Sequence, residues 1–297
     1  MSLVEQAIAR MKSQAGAARN MLAPSPSKPD VPTLIVKQNS ESARAAKRIA
    51  FDTTAMRMGG YLPEDDKDRQ FADHYRRIKR PLIDKALSGT VALGESRVIM
   101  ITSALPGDGK TFTSINLALS MALERDISVL LVDCDVAKRH VSQILGMKEE
   151  SGLLDALVDE SLDVESLVVQ TNLKGLSVLP AGRRAETTAE LLSSNRMRQI
   201  VTHLCERNPR QIMLLDSPPL LVTSEGRTLT KLAGQVVLVV RAGQTPRHAV
   251  HDAVALFDPQ QAGGVILNQV AVRVDEGYYG YGSYGTYGAN ENKTDEP

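Results

Sequence analysis

The sequence predicts an α/β fold in which a doubly wound, mainly parallel β-sheet carries helices on both faces. One observation behind this prediction is the regular alternation of apolar β-type runs with helical segments. A second is that the runs are almost continuously apolar, which is typical of strands covered on both faces. The third is a glycine-bearing turn that joins the first run to a helix, in the order that a phosphate-binding loop requires.

The elements follow one another with short connections. The predicted strands comprise residues 98–102, 128–133, 176–179, 212–216, 235–241 and 264–268. The predicted helices comprise residues 112–123, 153–158, 189–207, 225–232 and 248–257. Short connections suit right-handed crossovers between parallel strands. Ligands of such sheets bind at the carboxyl ends of the strands, so polar residues at those ends are the first candidates for a site.

Four regions are expected along the 297-residue chain. Residues 1–41 combine a short amphipathic helix with a proline-rich linker, and residues 42–87 form a helical extension. Residues 88–275 form the main α/β domain, and residues 276–297 form a tail rich in tyrosine and glycine. The first helix either contacts a partner or bilayer surface or is a frayed helix without a role, because isolated helices this short are marginal.

Charge and composition exclude some classes of protein. The 35 basic and 35 acidic side chains leave a net charge of zero, which gives no electrostatic reason to expect a nucleic-acid partner. No apolar run approaches the roughly 18 residues of a membrane-spanning helix. Cys134 and Cys205 lie far apart in a sequence with no recognisable secretory signal, which favours a reducing compartment. We therefore expect a cytoplasmic protein that is able to lie against a membrane.

The glycine-bearing turn reads Ser-Ala-Leu-Pro-Gly-Asp-Gly-Lys-Thr over residues 103–111. It follows the Walker A template G-x-x-x-x-G-K-[ST], except that Ala104 holds the first position. Lys110 is expected to point into solvent and meet the β- and γ-phosphates of ATP, and Thr111 to bind Mg²⁺ through its hydroxyl. The alternative is a plain strand-turn-helix corner. The residues predicted to bind the nucleotide are Pro106, Gly107, Asp108, Gly109, Lys110, Thr111 and Phe112.

Three carboxylates lie at predicted strand ends. Asp133 and Asp135 close one apolar run, and Asp216 closes another just before Ser-Pro-Pro. An apolar strand that ends in aspartate is the Walker B pattern, in which the carboxylate holds Mg²⁺ directly or through water. Thr111, Asp133 and Asp216 are therefore the predicted metal-binding residues. The alternative role for such an aspartate is to cap a following helix, which two prolines make unfavourable after Asp216.

A charged run precedes the main domain. Asp73, Arg76 and Lys79 (or Arg80) repeat every three to four residues, which places them on one face of a helix. A solvated charged face is the usual meaning of this spacing.

The tail contains five of the seven tyrosines, interleaved with glycine, which cannot bury their rings in a regular core. A nucleic-acid stacking segment lacks the arginines it needs here. Accessible hydroxyls near a nucleotide site instead suggest phosphate acceptors. The predicted acceptors are Tyr278, Tyr279, Tyr281, Tyr284 and Tyr287.

Together these motifs resemble those of the bacterial tyrosine kinases (BY-kinases), the cytoplasmic autokinases of capsule and exopolysaccharide systems, especially those of exosortase-type clusters. The matching pieces are Ser-x-x-Pro-Gly-Asp-Gly-Lys-Thr, Val-Asp-Cys-Asp, Leu-Pro-Ala-Gly, Ala-Glu-Leu-Leu, Asp-Ser-Pro-Pro and the Tyr/Gly tail. The resemblance implies a P-loop NTPase fold and a tyrosine autokinase that uses ATP and Mg²⁺. It implies catalytic roles for Lys110, Asp133, Asp135 and Asp216.

The resemblance also implies partners. Asp73, Arg76 and Lys79 occupy the positions of a Glu-x-x-Arg-x-x-Arg pattern that packs subunits into a ring, so that each tail reaches the next active site. A transmembrane polysaccharide chain-length regulator is implied as activator and a tyrosine phosphatase as the opposing enzyme, which places the protein at the inner face of the cytoplasmic membrane.

Some assignments stay open. Either Asp133 or Asp135 is the candidate base for the tyrosine proton. Asn268 either contacts adenine, as in related nucleotide-binding folds, or forms a strand-end turn. The rival function is a switch ATPase of the MinD/ParA type, although its extra loop lysine is missing between Ser103 and Pro106. A non-catalytic nucleotide-binding scaffold is a third hypothesis, but a scaffold does not need three acidic residues at strand ends.

Overall fold

The computed structural model describes residues 47–51, 53–61, 69–88, 95–183 and 187–270. The strands in this part of the chain are β1 (Arg48–Ile49), β2 (Val98–Ser103), β3 (Ser128–Asp133), β4 (Val169–Thr171), β5 (Leu176–Leu179), β6 (Gln211–Asp216), β7 (Gln235–Arg241) and β8 (Ala262–Asn268). They form one sheet in the spatial order β1-β4-β5-β3-β6-β2-β7-β8. All neighbouring pairs are parallel except β4 and β5.

Helices connect the strands and cover both faces of the sheet. In chain order they are α1 (Thr53–Met58), α2 (Arg69–Leu87), α3 (Lys110–Ala122), α4 (His140–Ile144), α5 (Leu153–Val158), α6 (Thr188–Ser193), α7 (Asn195–Arg207), α8 (Ser224–Leu229) and α9 (Arg247–Val254). The predicted mainly parallel, helix-covered sheet is thus confirmed.

The core lies on both sides of the sheet because alternate residues of each strand point to opposite faces. In β2, Val98 and Met100 join one buried apolar cluster. Ile99 and Ile101 join the other. Neither face is left for solvent, which explains why the central strands are apolar at nearly every position.

The structure differs from the expected elements at three places. Strands β1 and β4 are two and three residues long, too short to give a periodic signal. Helix α4 was not among the predicted helices. It begins directly after Arg139, whose left-handed backbone (φ 52°) interrupts the periodic sequence pattern after β3. The single helix expected over residues 189–207 is wrong, since Ser194 is extended (φ −72°, ψ 160°) and its side chain accepts a hydrogen bond from the Met197 N–H, which starts a new helix.

One face of α2 packs against the domain. Tyr75, Lys79, Leu82 and Ala86 are all less than 9% exposed, and their spacing of four, three and four residues is that of a helix stripe. Leu82 and Ala86 belong to the same apolar cluster as Ile99 and the residues of α3. Helix α2 is therefore anchored along its length rather than projecting from the sheet.

The expectation that Asp73, Arg76 and Lys79 share an exposed face is wrong for Lys79. Its ammonium lies 2.6 Å from the carbonyl oxygen of Ser120 and 2.9 Å from Oε1 of Glu124. Those partners satisfy the charge within the chain, so Lys79 belongs to the buried stripe. Asp73 and Arg76 instead form an ion pair with each other on the outer surface of α2.

Two expected regions lie outside the described residues: the amphipathic N-terminal helix with its linker, and the tail with its five tyrosines. None of the helices in the described ranges combines the length and the apolarity needed to cross a bilayer.

Gly152, which precedes α5, is a sharp test of this packing. A Cβ atom at Gly152 would lie 2.0 Å from the carbonyl oxygen of Pro180, which already accepts a hydrogen bond from the Leu153 N–H. We expect Gly152→Ala to lower the free energy of unfolding by about 1–3 kcal/mol, because a backbone atom must move. Urea denaturation measures this, with Ser151→Ala as the control one residue away. Coincident unfolding curves for both variants and the parent would contradict the described packing.

Candidate active site

The phosphate loop between β2 and α3 depends on two glycines. Gly107 and Gly109 have φ angles of 89° and 93°, a left-handed backbone that strongly favours glycine. A side chain at Gly109 would also displace the Asn268 amide, since a Cβ atom there would lie 2.0 Å from Nδ2 of Asn268. Asn268 closes β8 and donates a hydrogen bond of 2.9 Å to the carbonyl oxygen of Asp108. The end of β8 therefore supports the loop, whereas contact of Asn268 with adenine stays a prediction.

Asp108 fixes the loop from inside. Its carboxylate accepts hydrogen bonds from the Leu105 N–H at 3.3 Å and from the Thr245 hydroxyl at 2.7 Å. Thr245 follows β7, and no motif in the sequence marked it. These contacts hold the loop in shape, while Pro106 and Gly107 remain exposed at its tip.

Lys110 does not point into solvent as expected. Its side chain is 8% exposed, and its ammonium lies 2.5 Å from Oδ2 of Asp135. Both groups are buried, and a buried charge is tolerated only when it is paired. The sequence-predicted residues Lys110 and Asp135 are thus brought into direct contact as ion-pair partners.

Asp216 is held by two hydroxyl groups of α3. Thr111 donates to one carboxylate oxygen at 2.9 Å. The Ser114 hydroxyl lies 2.9 Å from the other and also 2.9 Å from the carbonyl oxygen of Lys110, so its one hydrogen is shared between them. Ser114 was not predicted, although it lies three residues after Thr111 and thus on the same side of the helix. The strand-end aspartate is fully buried, so these two donors replace the solvent that it has lost.

Asp133 stands beside Asp216, because the last residues of β3 and β6 are paired across the sheet. Oδ2 of Asp133 accepts two hydrogen bonds from Ser142 of α4, one from the N–H at 2.8 Å and one from the hydroxyl at 2.7 Å. Oδ1 is buried and has no hydrogen-bond partner among the described residues.

Burial raises the pKa values of both carboxyl groups. Burial raises the pKa of Asp133 to about 7, and the negative charge of Asp216 adds to the effect. Burial likewise raises the pKa of Asp216 to about 6, opposed by the positive charge of Lys110. Both groups therefore resist ionisation until a cation compensates them.

The residues present fit a hard divalent cation. Asp133 offers a buried, unpartnered carboxylate oxygen, and Thr111 and Asp216 supply further oxygen atoms at the adjacent strand end. Oxygen donors of this kind are the ligands that Mg²⁺ prefers. Among the described residues, the predicted metal-binding set is thus gathered at one edge of the sheet.

Phe112 has its side chain in an aromatic cluster. Its ring centroid lies 5.2 Å from that of Tyr61 and 6.2 Å from that of Phe71, which in turn is 5.0 Å from Tyr75. Tyr61 is close enough to the site for the charge of Asp216, after burial, to raise its pKa. The start of α3 is therefore tied to α2 and to the segment that precedes it.

A parallel sheet whose glycine loop leads into α3, with paired carboxylates at the next strand ends, defines a P-loop nucleotide-binding protein. Residues 96–256 match the model of a family described as an AAA domain. Tyrosine-protein kinase YwqD of Bacillus subtilis is 32% identical over 190 residues, which cover 63% of this chain and 78% of that protein. The chain belongs to this AAA domain family and, within it, to the bacterial tyrosine-protein kinases, as the motifs predicted.

Two further relatives support the assignment. Tyrosine-protein kinase wzc of Salmonella typhimurium is 30% identical over 193 residues, which cover 63% of this chain but only 26% of that protein. The chain thus corresponds to about a quarter of that relative. The solved structure of the VpsO kinase domain is 31% identical, with a TM-score of 0.53, and the match covers 67% of this chain and 98% of that domain.

The raised pKa values predict how the stability of the metal-free protein depends on pH. Asp133 binds its proton more tightly in the folded than in the unfolded state, so the free energy of unfolding should fall as pH rises from about 4 to about 7. The fall should be on the order of a few kcal/mol, since one pKa unit corresponds to about 1.4 kcal/mol. Chemical denaturation in EDTA measures it, and Asp133→Asn should flatten the curve. A stability that is equal at pH 5 and pH 8 in the parent would contradict the buried acid pair.

Proposed function

We propose that the protein is an ATP-dependent protein-tyrosine autokinase that transfers the γ-phosphate to its tail tyrosines, in trans between subunits, and thereby regulates exopolysaccharide or capsule synthesis and export. The observation that carries the proposal is the meeting of Lys110, Asp135, Asp133, Thr111 and Asp216 at the end of the phosphate loop. Relatives named tyrosine-protein kinases support the choice of this reaction for the site.

The chain's own residues have distinct roles in this proposal. The loop N–H groups and Lys110 bind the ATP phosphates, and Lys110 exchanges its contact with Asp135 for a contact with phosphate. Thr111, Asp133 and Asp216 hold Mg²⁺, which neutralises charge on the transferring phosphoryl group when bound. Positioning and charge neutralisation account for most of the catalysis that phosphoryl transfer needs.

The tyrosine proton needs an acceptor, because a phenol has an ordinary pKa near 10. The free oxygen of Asp133 is committed to the metal, so we assign the proton to Asp135, whose carboxylate is released when Lys110 moves to the phosphates. The tyrosine oxygen then forms the new bond to the γ-phosphorus as its proton passes to Asp135. The bond between the γ-phosphorus and the bridging oxygen breaks, and ADP leaves with the electron pair.

The remaining elements of the proposal concern the tail and the partners. The acceptors are the five tail tyrosines, and the chain self-associates as a ring through the outer surface of α2. A transmembrane chain-length regulator activates the kinase from the cytoplasmic membrane, where the protein is peripheral, and a tyrosine phosphatase reverses the modification. The motif resemblance supports these assignments.

A mixing experiment tests both the reaction and its trans character. One chain carries Lys110→Met with an intact tail, and the other carries phenylalanine at all five tail positions with an intact site. With Mg-ATP, neither chain should label itself, whereas the mixture should place phosphotyrosine on the Lys110→Met chain, as read by mass spectrometry. Hydrolysis of ATP by the parent without any phosphotyrosine would point to a switch ATPase instead.

The mixing experiment needs a folding control, because Lys110→Met leaves the buried Asp135 without its cation. Breaking a buried pair in this way costs about 3–5 kcal/mol. A second inactive chain, Lys110→Met with Asp135→Asn, removes the unpaired charge. It should regain stability in thermal unfolding, stay unable to label others, and still be labelled by the chain with an intact site.

Self-association is tested on Arg76, because Lys79 is buried and its removal would damage the fold. Arg76 is 67% exposed, so Arg76→Ala leaves the core intact. We expect this change to shift the mass in light scattering toward the monomer and to reduce tail phosphorylation. Arg77→Ala, an exposed neighbour on the same helix, is the matched control. Equal masses for the parent and both variants, at concentrations where the parent is oligomeric, would remove α2 from the interface.

A further inference from the structure

Ser142 is the one side chain in the described part of the chain whose hydroxyl donates to Asp133. It is 1% exposed and lies in α4, nine residues after Asp133. Its N–H and its hydroxyl converge on the same oxygen, Oδ2, at 2.8 and 2.7 Å. The backbone and the side chain of a single residue thus both donate hydrogen bonds to one carboxylate oxygen.

The direction of the hydroxyl is fixed by a third hydrogen bond. The Ala181 N–H donates to the Ser142 oxygen at 3.0 Å. A serine hydroxyl has one hydrogen to donate, and this arrangement leaves that hydrogen for Asp133. Ala181 lies after β5, in the segment whose Pro180 and Ala181 carbonyl oxygens accept from the start of α5. The hydrogen bond from Ser142 to Asp133 is therefore oriented by the segment that follows β5.

The two donors decide which oxygen of Asp133 is available. A carboxylate turns readily about its last side-chain bond, with two nearly equivalent positions. Two hydrogen bonds to Oδ2 remove that freedom, so Oδ1 is the oxygen left without a partner. The two oxygens of Asp216 do not differ in this way, because each lies within hydrogen-bond distance of a hydroxyl group.

We propose that Ser142 is a positioning residue that presents Oδ1 of Asp133 to a divalent cation, an inference that rests on the proposed function of the site. Ser142 does not touch the metal or the nucleotide. It acts through Asp133, and it makes the metal affinity depend on the loop that follows β5. Residues that orient a metal ligand in this manner typically contribute 10–100-fold to metal affinity or activity.

The test measures Mn²⁺ as the probe cation, bound together with ADP and detected by electron paramagnetic resonance, so that no kinase activity is needed. Ser142→Ala should weaken Mn²⁺ about 10–100-fold, whereas ADP affinity measured without metal should stay within about twofold, because the loop contacts lie elsewhere. Ser142→Thr, which keeps the hydroxyl, should restore most of the affinity. Ser177→Ala, which removes a buried hydroxyl bonded to the Val129 carbonyl oxygen, should match the parent.

A near-isosteric variant keeps the inference testable if the Ser142→Ala protein does not fold. Ser142→Cys keeps the volume and replaces the hydroxyl by a weak donor, so it should also lose Mn²⁺ affinity. Parental Mn²⁺ affinity in a folded Ser142→Ala or Ser142→Cys protein would overturn the inference. Failure of the proposed function gives a different result, namely a parent that binds Mn²⁺ with ADP and shows the Ser142 effect but never forms phosphotyrosine.

Discussion

The pairing of β3 with β6 places two aspartates side by side at the carboxyl ends of the two middle strands of the sheet. Asp133 and Asp216 are paired across neighbouring strands and are both completely buried. Two like charges in such a place are unfavourable unless neighbours compensate them. Much of the surrounding structure provides that compensation: Thr111 and Ser114 donate to one carboxylate, and Ser142 donates to the other.

The remaining imbalance of charge explains why the site suits both a cation and a polyphosphate. Lys110 and Asp135 neutralise each other, so in the proposed mechanism the pair of Asp133 and Asp216 attracts the metal ion. In the proposed mechanism Lys110 turns to the phosphates, which releases the Asp135 carboxylate from its ion pair. In that proposal, metal binding, phosphate binding and proton acceptance are steps of one redistribution of charge, which is the form of catalysis that phosphoryl transfer requires.

The sequence was sufficient for the strands of the central sheet and the aspartates that end them, because near-continuous apolar runs followed by acids give a strong local signal. It was not sufficient for Ser142, which reaches Asp133 only through the turn into α4, or for Thr245, which lies 137 residues from its partner Asp108. Lys79 was misplaced for a related reason. Charge at helical spacing predicts solvent exposure, whereas its partner Glu124 lies at the far end of α3.

Helix α2 connects the surface proposed for assembly to the helix that carries the site. Lys79 bonds to Ser120 and Glu124 beside the end of α3, and Phe71 contacts Phe112 near its start. Phe112 directly follows Lys110 and Thr111, so α2 is fixed at both ends of the helix that begins with the residues proposed to bind phosphate. The hydrogen bond and ion pair of Lys79, together with the packed aromatic rings, hold the two helices in register. A subunit that binds the outer surface of α2, as proposed, would contact a helix that is fixed to α3. Assembly would then stabilise the geometry of the phosphate loop indirectly, through α3.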